Sequence, residues 1–216
     1  MFRVILGSLW KWSRLFIVPG SVAAFAVPIL SLQSAGGASP ALPGELLSTI
    51  QSWSVFYPTL AGALGLLTAM RAWAPDHAGR HVYALVLPLP RWRYVLLRFA
   101  AGLVLLAGPV LAVTLGALLA TATATLPAGL HGYPLALALR FTLAVLVAYG
   151  VFFAVSSGTA RTAGVLIAAL GVVVVAQVLA SAANLDLPIA ETALRGIFDW
   201  PGPLAIFASR WMLIDV

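Results

Sequence analysis

Apolar residues run along this chain in long, nearly unbroken blocks, and polar residues are confined to the gaps between them. Five blocks stand out: Leu15–Leu32, which contains Pro19 and Pro28, then Trp53–Met70, Tyr94–Ala120, Pro134–Val155 and Ala163–Ala183. Each holds 18 or more residues with few charges. That is enough for a helix rising about 1.5 Å per residue to cross a hydrocarbon core of about 30 Å. The third block exceeds what one crossing needs, so it is expected to tilt, to kink at Pro109 or to extend beyond the bilayer. The predicted fold class is all-α: a polytopic membrane helix bundle of about five transmembrane helices, with residues 1–216 forming a single transmembrane domain.

The two ends of the chain read differently. Ahead of the first block, MFRVILGSLWKWSRLF is basic and amphipathic. Residues 1–13 are predicted to form an interfacial helix, with Trp10 and Trp12 at headgroup depth and Arg3 and Lys11 in water. A frayed cytoplasmic tail is the plainer alternative. The block after it is longer than the apolar core of a signal peptide, about 7–15 residues. After the fifth block, residues 184–216 form the predicted extracytoplasmic tail. Its most apolar stretch, Pro203–Val216, contains Arg210 and Asp215, which suits a re-entrant or interfacial segment. Pro201 and Pro203 around Gly202 mark a turn before it. The alternative is a sixth span that followed Val216 or was lost.

Composition agrees with the pattern. The chain has 216 residues, 62% hydrophobic and 8% charged, with a mean hydropathy of +1.05; a soluble domain carries about a quarter charged residues. Cysteine is absent, which removes disulfides, thiolate metal sites and cysteine nucleophiles. The net charge of +6 does not imply nucleic acid, because no domain-sized polar segment could present a basic surface. It implies orientation and contact with anionic headgroups. With the N-terminus inside, Arg3, Lys11, Arg14, Arg71, Arg80, Arg91, Arg93, Arg98 and Arg161 fall on the inner side; Arg140, Arg195 and Arg210 fall on the outer. Nine against three favours a cytoplasmic N-terminus, in a multi-pass protein of the inner (plasma) membrane. Glycines at 62, 65, 102, 108, 116, 164 and 171 lie within the blocks, where small residues let helices approach closely in lipid.

Residues 71–98 hold five of the twelve basic residues, between the second and third blocks. Asp76 follows Pro75 and is placed to cap a short helix whose first turn holds His77 and Gly79. Val82, Tyr83, Val86 and Leu87 form one apolar side at helical spacing. Pro88 and Pro90 stop that helix, and Arg91-Trp92-Arg93 opens the next span at the interface. Such a helix, anchored at both ends, can transmit a push from a cytoplasmic partner; a solvated loop that only fixes orientation is the other reading.

This layout resembles the type-2 exporter permeases of ATP-binding-cassette transporters. In that family an acidic residue, a Gly-Thr context, a hydrophobic helix and a Leu-Pro-Val-Ser-Arg-like turn join two spans. Here Asp76, Gly79, the helix at 80–87 and Leu87-Pro88-Leu89-Pro90-Arg91 stand in those places, with Arg80-His81 departing from the Gly-Thr context. The N-terminal helix is similar to the family's connecting helix. The resemblance implies a permease domain over 1–216 with a coupling loop at 71–93. Contact with an ATPase subunit would fall to Asp76, Gly79, Arg80, Val82, Tyr83, Val86, Leu87 and Arg91. It also implies two permease chains, identical or homologous, each served by an ATP-binding subunit in trans; the chain contains no G-x-x-x-x-G-K-[ST] loop of its own.

Catalytic chemistry is sparse: no catalytic, cofactor or metal site is predicted, and the chain reads as a transport subunit rather than an enzyme. His77 and His81, four residues apart, could bind a metal only with further ligands, and positions 78–80 rule out a HExxH pattern. Ser156 and Ser157 form a hydroxyl pair at a helix end. Arg140, six residues into the fourth block, either snorkels to the surface or contacts Asp186, Glu191 or an anionic substrate. Gln177 is the other polar residue within a span, suited to an interhelical hydrogen bond; with Arg140 it is the candidate for a substrate path. Two rival readings stand beside the exporter: a haem-exporter-like permease, and a non-transporting accessory protein that helps assemble a larger membrane complex.

Overall fold

A computed structural model describes residues 2–36, 43–78, 90–124, 126–127, 129–158, 172, 175–177, 189–199, 201–202, 204–208 and 210–215. The chain divides into two compact units, one of Met1–Phe153 with Arg210–Val216 and the other of Ala154–Ser209. In chain order the first carries α1 (Phe2–Gly36), α2 (Pro43–Trp53), α3 (Phe56–Ala78), α4 (Arg91–Thr123), β1 (His131–Gly132) and most of α5 (Pro134–Ser156). The second carries α6 (Ile189–Phe198) and α7 (Ala205–Ala208); β2 (Ile214–Asp215) belongs to the first.

Four stretches among the described residues are long and apolar enough to cross a membrane: Phe2–Ser34, Leu46–Asp76, Arg91–Thr123 and Pro134–Ser156. These fit a multi-pass membrane protein. The predicted fifth span, Ala163–Ala183, lies outside the described residues except for 172 and 175–177, which are helical. In α5 the exposed residues include Leu135, Leu139, Leu143 and Leu146, while Leu137, Phe141, Val145 and Tyr149 face inward. A helix apolar on both faces belongs in lipid or in a much larger core.

Two boundaries differ from the sequence reading. The predicted interfacial helix is not separated from the first span, since α1 runs unbroken from Phe2 through Pro19 and Pro28. Gly7 is the one strong breaker before Val18, and a single glycine costs a helix only about 1 kcal/mol. The second span does not stop at Met70, because α3 continues through Pro75 to Ala78. Asp76 therefore sits inside a helix rather than capping a new one.

Close contacts fix the helix directions. Gly20 of α1 meets Leu64 of α3, and Gly116 of α4 lies against the Phe25 carbonyl of α1. Gly65 of α3 lies against Ala148 and Tyr149 of α5, and Gly102 of α4 against the Tyr149 hydroxyl. A Cβ at Gly65 would stand 2.6 Å from that of Ala148, so only glycine allows these backbones to approach so closely. Taken together, α1 and α4 run parallel, with α3 and α5 antiparallel to them. The four alternate up and down, and α1 packs chiefly along α4.

This arrangement gives the first unit two chemically distinct ends. One gathers the starts of α1 and α4 and the last turns of α3 and α5; it carries Arg3, Lys11, Arg14, Arg71, Arg91, Arg93 and Arg98. An aromatic cluster of Trp73, Phe99, Tyr149 and Phe153, with ring centroids 5.0–5.5 Å apart, packs its interior. The Trp73 indole donates to the Phe153 carbonyl at 3.1 Å, one of the last-turn carbonyls of α5 that its own helix cannot satisfy.

At the other end β1 and β2 pair antiparallel, His131 opposite Asp215 and Gly132 opposite Ile214. The Tyr133 amide extends the pairing by donating to Leu213 O at 2.8 Å. Trp211 stacks on Tyr57 with centroids 6.1 Å apart. The predicted re-entrant segment Pro203–Val216 is thus two pieces: the single turn of α7, and an extended return that pairs with the loop between α4 and α5. Arg210 and Asp215 within that return are 3.9 Å apart, so its charges partner locally.

In the second unit α6 carries a Glu191–Arg195 ion pair one turn apart, exposed on its surface. The turn expected near Pro201 forms: Gly202 N donates to Asp199 O at 2.5 Å and Leu204 N to Ile197 O at 2.9 Å. A Cβ at Gly202 would meet three carbonyl oxygens at 2.5–2.7 Å.

Candidate functional site

The site begins with a proline in a helix. Pro75 has no amide hydrogen and its ring crowds the turn before it, which leaves the Arg71 carbonyl without its helical donor. Helices in membranes tolerate this when a neighbour supplies new donors. Arg98, in the second turn of α4, brings a donor to the same turn: its Nη1 donates to Ala72 O, the carbonyl next to that of Arg71, at 2.5 Å. The same Nη1 meets Asp76 Oδ2 at 2.7 Å. Tyr94, one turn before Arg98 on the same face of α4, donates its hydroxyl to Asp76 at 3.1 Å. The guanidinium carbon lies 4.8 Å from the Tyr94 ring centroid and 5.5 Å from that of Trp73.

Burial makes this network consequential. The Asp76 side chain is fully enclosed and that of Arg98 is 9% exposed. An isolated charge at such depth would be prohibitive, whereas a paired and hydrogen-bonded one is tolerated. The network joins the last turns of α3 to the first turns of α4, on either side of segment 79–89. Arg98 lies about 10 Å along α4 from Arg91. A carboxylate, a guanidinium and a phenol are thus locked together as a clamp between α3 and α4.

Of the residues predicted to contact an ATPase, Asp76 is buried in this clamp and has no surface to offer. Its role there is to hold α3 to α4. Arg91 is exposed in the first turn of α4, where Pro90 precedes the helix with extended backbone angles. Beside it Arg93 lies over the Trp92 ring, 5.2 Å from the centroid. Gly79, Arg80, Val82, Tyr83, Val86 and Leu87, and with them the helix at 80–87, lie outside the described residues, as does His81. No group of three or more potential metal ligands occurs among the described residues.

Arg140 is at the opposite end. It donates to the Arg210 carbonyl and stacks over Trp211, 4.7 Å from the ring centroid. It thus holds the extended return against α5, while Glu191 pairs with Arg195; Asp186 lies outside the described residues. Gln177 is half-buried in a helical stretch of the second unit. Ser157 donates back to Ala154 O at 2.7 Å, a helix-end hydroxyl bond.

The ion pair itself escaped sequence reasoning, although a signal existed. Asp76 is the sole acid between Glu45 and Asp186, and Arg98 is the fifth residue of the apolar block Tyr94–Ala120. Two opposite charges, each just inside the membrane-embedded end of consecutive antiparallel spans, sit at matching depth. No family model, no curated protein and no solved structure matches the chain.

Proposed function

We propose that this chain is the membrane-spanning permease subunit of an ATP-binding-cassette exporter of the type-2 kind. It works as one of two such chains in the inner membrane, with ATP hydrolysed by a separate subunit at the basic, cytoplasmic end. The observation that carries this reading is the Asp76–Tyr94–Arg98 clamp. A handle can drive a transporter only if a push on it moves whole helices. A segment whose flanking turns are cross-linked by a buried ion pair would pass such a push to α3 and α4 together. The charge asymmetry of the bundle supports the orientation: seven basic residues at one end among the described residues, against Arg140 and Arg210 at the other.

In this mechanism, closure of the ATPase on nucleotide presses on residues 79–89. The clamp converts that push into a joint tilt of α3 and α4 against α1 and α5, opening a path outward. Co-purification of the full chain from its native membrane, with an ATP-binding subunit as the expected companion, tests the class. Val82→Asp, Tyr83→Asp and Val86→Asp combined should release that subunit while leaving the chain in the membrane. Retention of the subunit by the triple variant, or recovery of a respiratory or secretion complex instead, would contradict the proposal.

A further inference from the structure

Beside the clamp, α1, α3 and α4 enclose a cavity of about 500 Å³, within the range of small-molecule sites. Its walls divide by chemistry. Val4, Ile5, Leu9 and Trp12 of α1 supply an apolar side, while Arg71 of α3 and Arg98 of α4 supply a cationic one. The Arg98 side chain is nine-tenths buried, and its Nε has no hydrogen-bond partner among the described residues. Arg71 is exposed, and no acid lies within ion-pair distance of it among the described residues. Asp76 balances one of the two cations, so the site keeps a net positive charge. Val4 is 73% and Trp12 57% exposed, so the apolar wall of the cavity reaches the surface of the bundle.

From this juxtaposition we infer that the cavity is a binding site for one anionic phospholipid. The phosphate sits between Arg71 and Arg98, with the apolar side chains of α1 beside it. An apolar hollow that opens into a bilayer fills with acyl chains rather than water, and a basic pocket between helices selects the anionic headgroup. The site lies against the Pro75 turn, so the lipid would brace the helix end that the clamp holds. This follows from the cavity alone and is independent of any ATPase contact.

The test is native mass spectrometry of the delipidated full chain, titrated with phosphatidylglycerol or with phosphatidylcholine of the same acyl chains. One phosphatidylglycerol should bind per chain at concentrations where phosphatidylcholine does not. Arg71→Gln should weaken it about fivefold, the share of one basic side chain. Lys11→Gln, exposed and away from the cavity, should change nothing. Leu9→Trp should fill the space and remove binding; if that variant fails to fold, Arg71→Gln on an exposed side chain still decides. Equal retention of the two lipids, an equal loss from Lys11→Gln, or binding of free glycerol phosphate as tight as the whole lipid would overturn the assignment.

Discussion

Asp76→Asn removes one charge from the clamp and almost nothing else. The amide keeps the volume of the carboxylate and an oxygen for the Tyr94 hydroxyl. It leaves the Arg98 guanidinium nine-tenths buried with no acid in reach among the described residues. Removing one member of a buried pair costs about 3–5 kcal/mol, because the survivor is a buried charge without compensation. Replacing both charges with apolar groups of similar volume is often neutral or stabilising, so Asp76→Leu with Arg98→Met should recover most of that loss. The remaining deficit is the Ala72 carbonyl, deprived of its donor, at about 1 kcal/mol. Equilibrium unfolding of the full chain in mixed micelles measures these differences, and Trp73, 5.5 Å from the guanidinium, reports the site by fluorescence. Screening should have little effect, since salt acts weakly on buried pairs. If Asp76→Asn lost under about 1 kcal/mol, or the double variant lost as much as the single, the clamp would not be holding α3 to α4.

Other expectations follow from the packing. Gly65→Ala and Gly116→Ala would drive a methyl into backbone at 2.7 Å or less, costing about 1–3 kcal/mol each. Gly108→Ala, whose Cβ would sit 3.7 Å from Ser21 Oγ, should stay within about 0.5 kcal/mol; the same unfolding assay separates them. Trp211→Ala removes both the Tyr57 stack and the seat of Arg140, and should cost about 3–5 kcal/mol. Limited proteolysis should then cut at 210–215, where the wild type resists.

Spans were easy to read because the membrane requirement is crude. Tyr94–Ala120 became α4 and Pro134–Val155 became α5, each within three residues at either end. A run of apolar residues must be helical in lipid to satisfy its own backbone. Helix ends near charges were harder. Pro75-Asp76 has the look of a helix start, yet the helix continues, and Arg98, 22 residues away from Asp76 in sequence, bonds that residue and the turn before it. No local window contains that information. Arg98 likewise read as one more orienting cation, whereas its depth in the bundle makes it half of a pair. The tail misled for a related reason. Its apolar content suggested insertion, but its backbone partners are His131 to Tyr133, and strand pairing over such distances leaves no periodic trace in either segment.

Everything in the functional reading depends on the basic end of the bundle lying in the cytoplasm. With no native cysteine, single substitutions label cleanly, and Arg91 and Tyr133 are exposed at opposite ends of the first unit. In intact cells a membrane-impermeant maleimide should label Tyr133→Cys and leave Arg91→Cys untouched until the membrane is permeabilised. Labelling of Arg91→Cys from outside, with Tyr133→Cys protected, would contradict the account.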